Sequence, residues 1–296
     1  MAFDHEYRLR IVASRPVVFE RLLRIEHLAR WFCGWARIEP KVGGSFKFGG
    51  ETCIFLPDGT AWSTTIEQGE VLRRFGFTWP IRGVATRVEY DLEDEGETAC
   101  VLRARHVGVP VEGSTCGSAQ DAWRMCLGNL KAISEGRGDS VRPDHSPVAV
   151  PEVRLTCLVE APSERVFAAL TDAAQVDRWS SGGPPSGDVE IELRRGGAYT
   201  LGGDEVRGEV VEIQEDRRLA VRWLRGDREH RVGIDLETKA SGTAVYFSSS
   251  GYEPGDEPLA LADRGRWSDR LVCLRNLIEA GDVGFLNPYD DQVRTS

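Results

Sequence analysis

"VFERLLRIEHLARW" occupies Val18–Trp31 and "VFAALTDAAQVDRW" occupies Val166–Trp179. Both open on Val-Phe and close on Arg-Trp, the Trp follows the Phe by 12 residues in each, and the copies lie 148 residues apart in a chain of 296. The rest of the chain repeats in step. "RVEYDLE" at Arg87–Glu93 returns as "RVGIDLE" at Arg231–Glu237, with five of seven positions identical at an offset of 144. "RRFGFTW", ending at Trp79, returns as "RRLAVRW", ending at Trp223. Trp123, Leu127 and Leu130 return as Trp267, Leu271 and Leu274. Gly43-Gly44 before "SFKF" matches Gly196-Gly197 before "AYTL" at an offset of 153, which places short indels in the loops. Solenoid repeats run to about 20–50 residues, so this longer period marks a duplicated domain. The Gly, Ser and Pro of "GRGDSVRPDHSPVAVP", Gly136–Pro151, interrupt regular structure. The expected layout is a domain at 1–138, a linker at 139–150 and a second domain at 151–296.

Each copy begins with an alternating run, "YRLRIVA" or "VRLTCLVEA", that predicts a strand. Pro16 or Pro162 then suits a helix's first turn, where a missing N–H costs nothing. The apolar spacing that follows predicts two short helices split by a turn. Next come strand-like runs separated by Gly, Pro and acidic turns, the pattern of an antiparallel meander. The copy ends on one long amphipathic helix with Trp123, Leu127, Leu130 and Ser134, or Trp267, Leu271, Leu274 and Ile278, in a stripe ended by Gly. An α+β fold follows, in which a curved antiparallel sheet wraps the long C-terminal helix.

Hydrophobic residues at 41% and charged residues at 28% are an ordinary soluble balance, and the opening "MAFDHEYRLRIVASRP" has no apolar run of signal-peptide or membrane-span type. A cytoplasmic protein without membrane insertion is expected. A net charge of -10 without a Lys/Arg tract argues against a nucleic-acid partner. Seven cysteines without C-x-x-C spacing signal neither a disulfide framework nor a zinc ribbon. His5, His27, His106, His145 and His230 are scattered, and no phosphate loop, nucleophile elbow or H-E-x-x-H occurs. No metal and no cofactor are therefore expected.

The pattern "VFxxLxxxxxLxRWF...VGGSFKF...RRFGFTW...RHVGVP...W..CLGNL" resembles the helix-grip superfamily of START and Bet v1-like (SRPBCC) proteins. Within it, the resemblance is to the branch named after the Hsp90 ATPase activator homologue. Almost the whole of each half is covered, most specifically at Trp31/Trp179, Gly43-Gly44/Gly196-Gly197 and Trp79/Trp223. The "H-x-G" element, His106 to Gly108, occurs only in the first copy; the second reads "SSSGY", Ser248–Tyr252, at that place. The resemblance implies two tandem helix-grip domains that bind hydrophobic small molecules, as polyketide aromatase/cyclases and enediyne-resistance proteins of this superfamily do.

A single helix cannot fill a curved sheet's concavity, so alternate strand residues are expected to line a ligand cavity. The candidates are Trp35, Phe46, Phe48, Trp62, Phe77, Trp79 and Trp123 in the first copy and Tyr199, Trp223 and Trp267 in the second. Trp35 and Trp62 have no counterpart in the second copy, which marks them as contacts special to the first domain. His106, His230 and Tyr199 are the weak candidates for acid or base work. Three functions remain open: binding and sequestration of a bulky aromatic or polyketide-like metabolite, an aromatase/cyclase-like enzyme, and a co-chaperone-like interaction module.

Overall fold

In the computed structural model, which describes residues 2–110, 118–201, 207–225 and 228–287, each copy of the repeat builds its own sheet and its own closing helix. The first copy runs β1 (Ala2–Ile11), α1 (Arg15–Leu23), α2 (Ile25–Trp31), β2 (Trp35–Ile38), β3 (Ser45–Gly49), β4 (Trp62–Glu70), β5 (Arg74–Ile81), β6 (Val84–Asp94), β7 (Cys100–Pro110) and α3 (Ala119–Ser134). Its seven strands are antiparallel in the order β1-β7-β6-β5-β4-β3-β2. The second runs β8 (Glu152–Val159), α4 (Ser163–Thr171), α5 (Ala173–Ser180), β9 (Ala198–Thr200), β10 (Arg207–Gln214), β11 (Arg218–Arg225), β12 (Arg228–Lys239), β13 (Gly242–Ser250) and α6 (Glu257–Ala280). Its six strands follow the order β8-β13-β12-β11-β10-β9. The expected α+β architecture is present in both copies.

The repeated residues do the same work twice. Trp31 Nε1 donates to the Arg21 carbonyl at 3.0 Å, and Trp179 Nε1 donates to the Ala169 carbonyl at 2.9 Å, so each closing Trp ties its second short helix back to the first. Both rings are buried. Gly43 and Gly196 share φ +78°, a left-handed turn that favours glycine, and each donates its N–H 2.8 Å to the strand beyond, at Ile66 and Val210. β4 bulges between Ile66 and Gln68, and β10 between Val210 and Glu212, the same place in each copy. Such bulges bend a sheet and increase its twist.

The closing helices are capped as helices this long require. Ser118 and Asp121 form a reciprocal capping box on α3. Gly281, at φ +74°, ends α6 with its N–H on the Leu277 carbonyl. The stripes at Trp123, Leu127 and Leu130 and at Trp267, Leu271 and Leu274 are buried.

The division of the chain differs from the expected ranges. The chain splits into one unit of Met1–Ser146 together with the segment from Gly284 onward, and another of Pro147–Val283. Residues 139–146 have no regular structure, yet side chains fasten them to the first unit. Asn129 accepts from Ser140 N and donates to the Val141 carbonyl, each at 2.8 Å, and Arg142 reaches the carbonyls of Ala29 and Cys33 and the Thr52 hydroxyl. Gly284–Asn287 lies along β1. Arg10 N donates to the Gly284 carbonyl at 2.8 Å, Leu286 N to the Arg8 carbonyl at 2.7 Å, and the Phe285 ring lies beneath the Arg124 guanidinium. A flexible-linker composition did not disclose Asn129's grip, and nothing local marks Phe285 as belonging to the first unit.

Candidate functional site

The inner face of the first unit is aromatic. Phe46, Phe48, Phe77 and Trp79 alternate inward from β3 and β5, and Trp123 comes down from α3. Phe32, at the end of α2, joins them at ring-centroid distances of 4.9 Å to Phe48 and 5.7 Å to Trp79. The loop between β3 and β4 adds Phe55, set edge-on to Trp79 at 5.5 Å and to His106 at 6.0 Å. Trp62 is buried, and its Nε1 donates to the Phe55 carbonyl at 2.9 Å. Trp35 stands apart, 39% exposed, its indole packed against the space where Gly49 has no Cβ. Of the two unmatched tryptophans, only Trp35 therefore has an open face.

His106 is held in one protonation state. Thr86 Oγ1 donates to the Trp79 carbonyl at 2.5 Å, so His106 Nε2–H donates to Thr86 Oγ1 at 2.8 Å. Trp123 Nε1–H then donates to Nδ1 at 3.1 Å, while the imidazole stacks on Trp79 at 5.2 Å. A second ring proton would point at the Trp123 donor. Burial, and secondarily the neighbouring His5, push its pKa well below the usual histidine value. Both ring nitrogens are engaged, and burial opposes a second proton near neutrality.

His5 lies directly across from His106 on β1, between the rings of Phe3 and Tyr7, and burial lowers its pKa to about 4 against a weaker opposing pull from Asp4. The unfolded chain protonates both histidines below about pH 6.5, whereas the folded chain resists until far lower. The unfolded state thus binds more protons in this window. Stability is full above about pH 6.5 and falls as pH drops toward 4, by up to about 1.4 kcal/mol per pH unit for each histidine. Denaturant midpoints at pH 7.0, 6.0 and 5.0 should decline steadily; a flat profile would contradict the assignment.

The second unit keeps the frame and changes the contents. Tyr199 is buried with its hydroxyl donating to the Leu170 carbonyl at 2.8 Å, and burial raises its pKa. It is a structural tie between β9 and α4. Trp223 and Trp267 face one another at 6.0 Å, with Phe247 4.3 Å from Trp267. Register shows what sequence alignment hid. Trp79 pairs with Thr86 as Trp223 pairs with His230, and Val88 pairs with His106 as Val232 pairs with Ser249. Imidazole and hydroxyl have therefore exchanged strands between the copies. Ser249 Oγ lies 2.8 Å from the Tyr252 hydroxyl, which donates to Asp263 Oδ2 at 2.6 Å, and the His230 ring stands edge-on to Tyr252 at 5.2 Å. All four are buried.

Asp263 and Tyr252 escaped the sequence reading. Asp263 is one helical turn before Trp267 on the same face, an i, i+4 relation that could have pointed to it. Among the buried donors with no partner among the described residues are Trp79 Nε1, the Tyr90 hydroxyl and Trp223 Nε1. Surface clefts at Glu6, Arg8 and Arg103 and at Glu164, Asp216 and Arg217 carry no aromatic wall and are remote from these groups. Among the described residues, no cluster of three or more His, Cys, Asp or Glu is placed to hold a metal, and no helix is long and apolar enough to cross a membrane.

Two antiparallel sheets, each joined to two short helices and closed by a long one, define a tandem helix-grip protein. The model of the family described as Activator of Hsp90 ATPase homolog 1-like protein matches residues 12–135 and 160–278. The chain belongs to that family, whose fold is often a ligand-binding or polyketide cyclase-like one. No curated protein matches the chain. Several solved structures are similar to the chain. DynU16, from the dynemicin biosynthetic locus, is 15% identical, over 94% of this chain and all of its own, with a TM-score of 0.38. The Aha1 dimer from Colwellia psychrerythraea is 18% identical over 44% of this chain and 97% of its own, with a TM-score of 0.38. An HSP90 activator from Plasmodium falciparum is 22% identical over 34% of this chain and 74% of its own, with a TM-score of 0.31.

Proposed function

We propose that the chain binds a bulky hydrophobic, aromatic or polyketide-like small molecule between sheet and closing helix, and sequesters it in natural-product biosynthesis or self-protection. The observation that carries this reading is the inner face itself, apolar and aromatic, with the Trp79, Trp223 and Tyr90 donors buried and unpaired. An apolar wall with a few unspent polar groups is what a small-molecule site requires, because the wall supplies affinity and the polar groups orientation. Titrating the chain with 9-fluorenone, a rigid tricyclic ketone, should quench tryptophan fluorescence saturably with a fixed stoichiometry. Linear, unsaturable quenching would refute the proposal.

A catalytic reading, cyclase-like, draws on one observation: the Asp263 carboxylate accepts from the Tyr252 hydroxyl inside the second unit. Such a pair can pass a proton to or from a bound carbonyl. His106 adds nothing to it, since both of its ring nitrogens are engaged.

A further inference from the structure

We infer that the second unit is the binding unit, and that its ligand is a planar hydrophobe bearing a carbonyl-type oxygen that accepts from Trp223 Nε1–H beside the Ser249–Tyr252–Asp263 chain. The inference deepens the proposed function and rests on it. Its first support is volume. At matched positions of the repeat, Phe32 becomes Ser180, Phe48 becomes Leu201, Phe75 becomes Leu219, Phe77 becomes Val221 and Thr64 becomes Gly208. All of these except Gly208 are buried. Two exchanges move a ring from one strand to the next, Tyr90–Ala104 to Ile234–Phe247 and Thr86 with His106 to His230 with Ser249, and Val109 gives way to the buried ring of Tyr252. Four other rings are lost outright. Phe55 also has no counterpart, because 12 residues join β3 to β4 whereas six join β9 to β10.

The second support is the surroundings of the matched donors. Trp79 is walled by Phe48, Phe55 and Trp62, each ring near perpendicular to it with centroids 5.0–5.7 Å away. Trp223 Nε1 lies beside the bare Gly208 backbone, where a Cβ would stand 2.8 Å from that atom, 2.7 Å from the Tyr199 carbonyl oxygen and 2.5 Å from Val221 Cγ1. It is 2% exposed, and its donor has no partner among the described residues. A buried, unpaired N–H costs free energy that a ligand oxygen recovers, which fixes the ligand's chemical class as an acceptor. On the same inner face, the cross-strand neighbour of Trp223 is His230, and His230 adjoins Tyr252. Hydrogen bonds from Ser249 through Tyr252 to Asp263 run toward the carboxylate and give this part of the inner face a fixed polar end.

The test compares 9-fluorenone with fluorene, the same skeleton without the oxygen, titrated against the full-length chain. The ketone should bind about tenfold more tightly, the ratio expected of one recovered hydrogen bond. Trp223→Phe keeps a ring and removes the donor, so it should weaken fluorenone about tenfold and leave fluorene unchanged. Val221→Phe restores a first-unit ring to the second unit and should abolish binding of both. Phe75→Leu, made in the first unit, should alter neither. Equal binding of the two probes, or indifference to both Trp223→Phe and Val221→Phe, would overturn the inference while leaving the proposed function standing. Failure of both probes to bind the wild-type chain would overturn the two together. If Val221→Phe does not fold, the Trp223→Phe comparison alone decides.

Discussion

Trp123→Ala is expected to remove about 3–5 kcal/mol from the stability of the first unit, the range for emptying a buried tryptophan site. The indole is 1% exposed and touches the rings of Tyr7, Phe32, Trp79, Tyr90 and His106. These neighbours are themselves wedged between helix and sheet, so the hole cannot collapse without moving strands. A second loss adds to the first. Trp123 supplies the hydrogen bond to His106 Nδ1, and an orphaned buried acceptor costs about 1–3 kcal/mol more. Domains are stable by roughly 5–15 kcal/mol, so the variant stands near the limit of folding. Trp123→Phe separates the two contributions, since it restores most of the ring and none of the donor. Urea unfolding of the three chains measures both; a loss under about 2 kcal/mol for Trp123→Ala would show that the aromatic cluster is not the core.

The other large effect is expected at a residue with no side chain. A Cβ on Gly44 would lie 2.2 Å from the Glu39 carbonyl oxygen, and one on Gly197 would lie 2.1 Å from that of Glu192. Both oxygens belong to the same tight turn, closed by Gly44 N on the Lys41 carbonyl and Gly197 N on the Arg194 carbonyl, each at 2.8 Å. Relief demands that the backbone turn open and its hydrogen bonds lengthen. Gly44→Ala and Gly197→Ala should each cost about 3 kcal/mol, the upper part of the usual range for overpacking. Gly83→Ala serves as the control, since no atom lies within 4 Å of its Cβ and only the φ of +75° opposes it, at about 1–2 kcal/mol. Melting temperatures that rank Gly83→Ala as the worst of the three would defeat the steric argument.

These two predictions concern residues that the repeat had already marked. Trp31 and Trp179, Gly44 and Gly197, and Trp123 and Trp267 were legible because each acts within its own turn or its own helix stripe, where spacing along the chain is spacing in the fold. The candidate site was legible only in half. Phe46, Phe48, Phe77, Trp79, Trp123, Trp223 and Trp267 could be placed inward by strand parity and helix period. His106 looked like chemistry because a lone imidazole in sequence carries no sign of the Thr86 and Trp123 partners that engage both its nitrogens. The exchange of Thr86 and His106 for His230 and Ser249 is invisible to alignment, since the partners sit on neighbouring strands and only register brings them together. Trp62 looked like a ligand contact for lack of a counterpart; its indole is instead fastened to the loop that inserts Phe55.

Gly284–Asn287 sets an order on the making of the protein. A ribosome adds about 5–20 residues per second and releases the N-terminal part first, so α3 is complete on the order of ten seconds before Phe285 is added. During that interval the outer side of β1 offers the N–H of Arg10 and the carbonyl of Arg8 to any passing strand, and Arg124 lacks the ring it covers in the finished molecule. Arrival of Gly284–Asn287 closes that edge. The nascent first unit therefore spends its youth with an adhesive margin, and synthesis of the entire second unit falls within that exposed period.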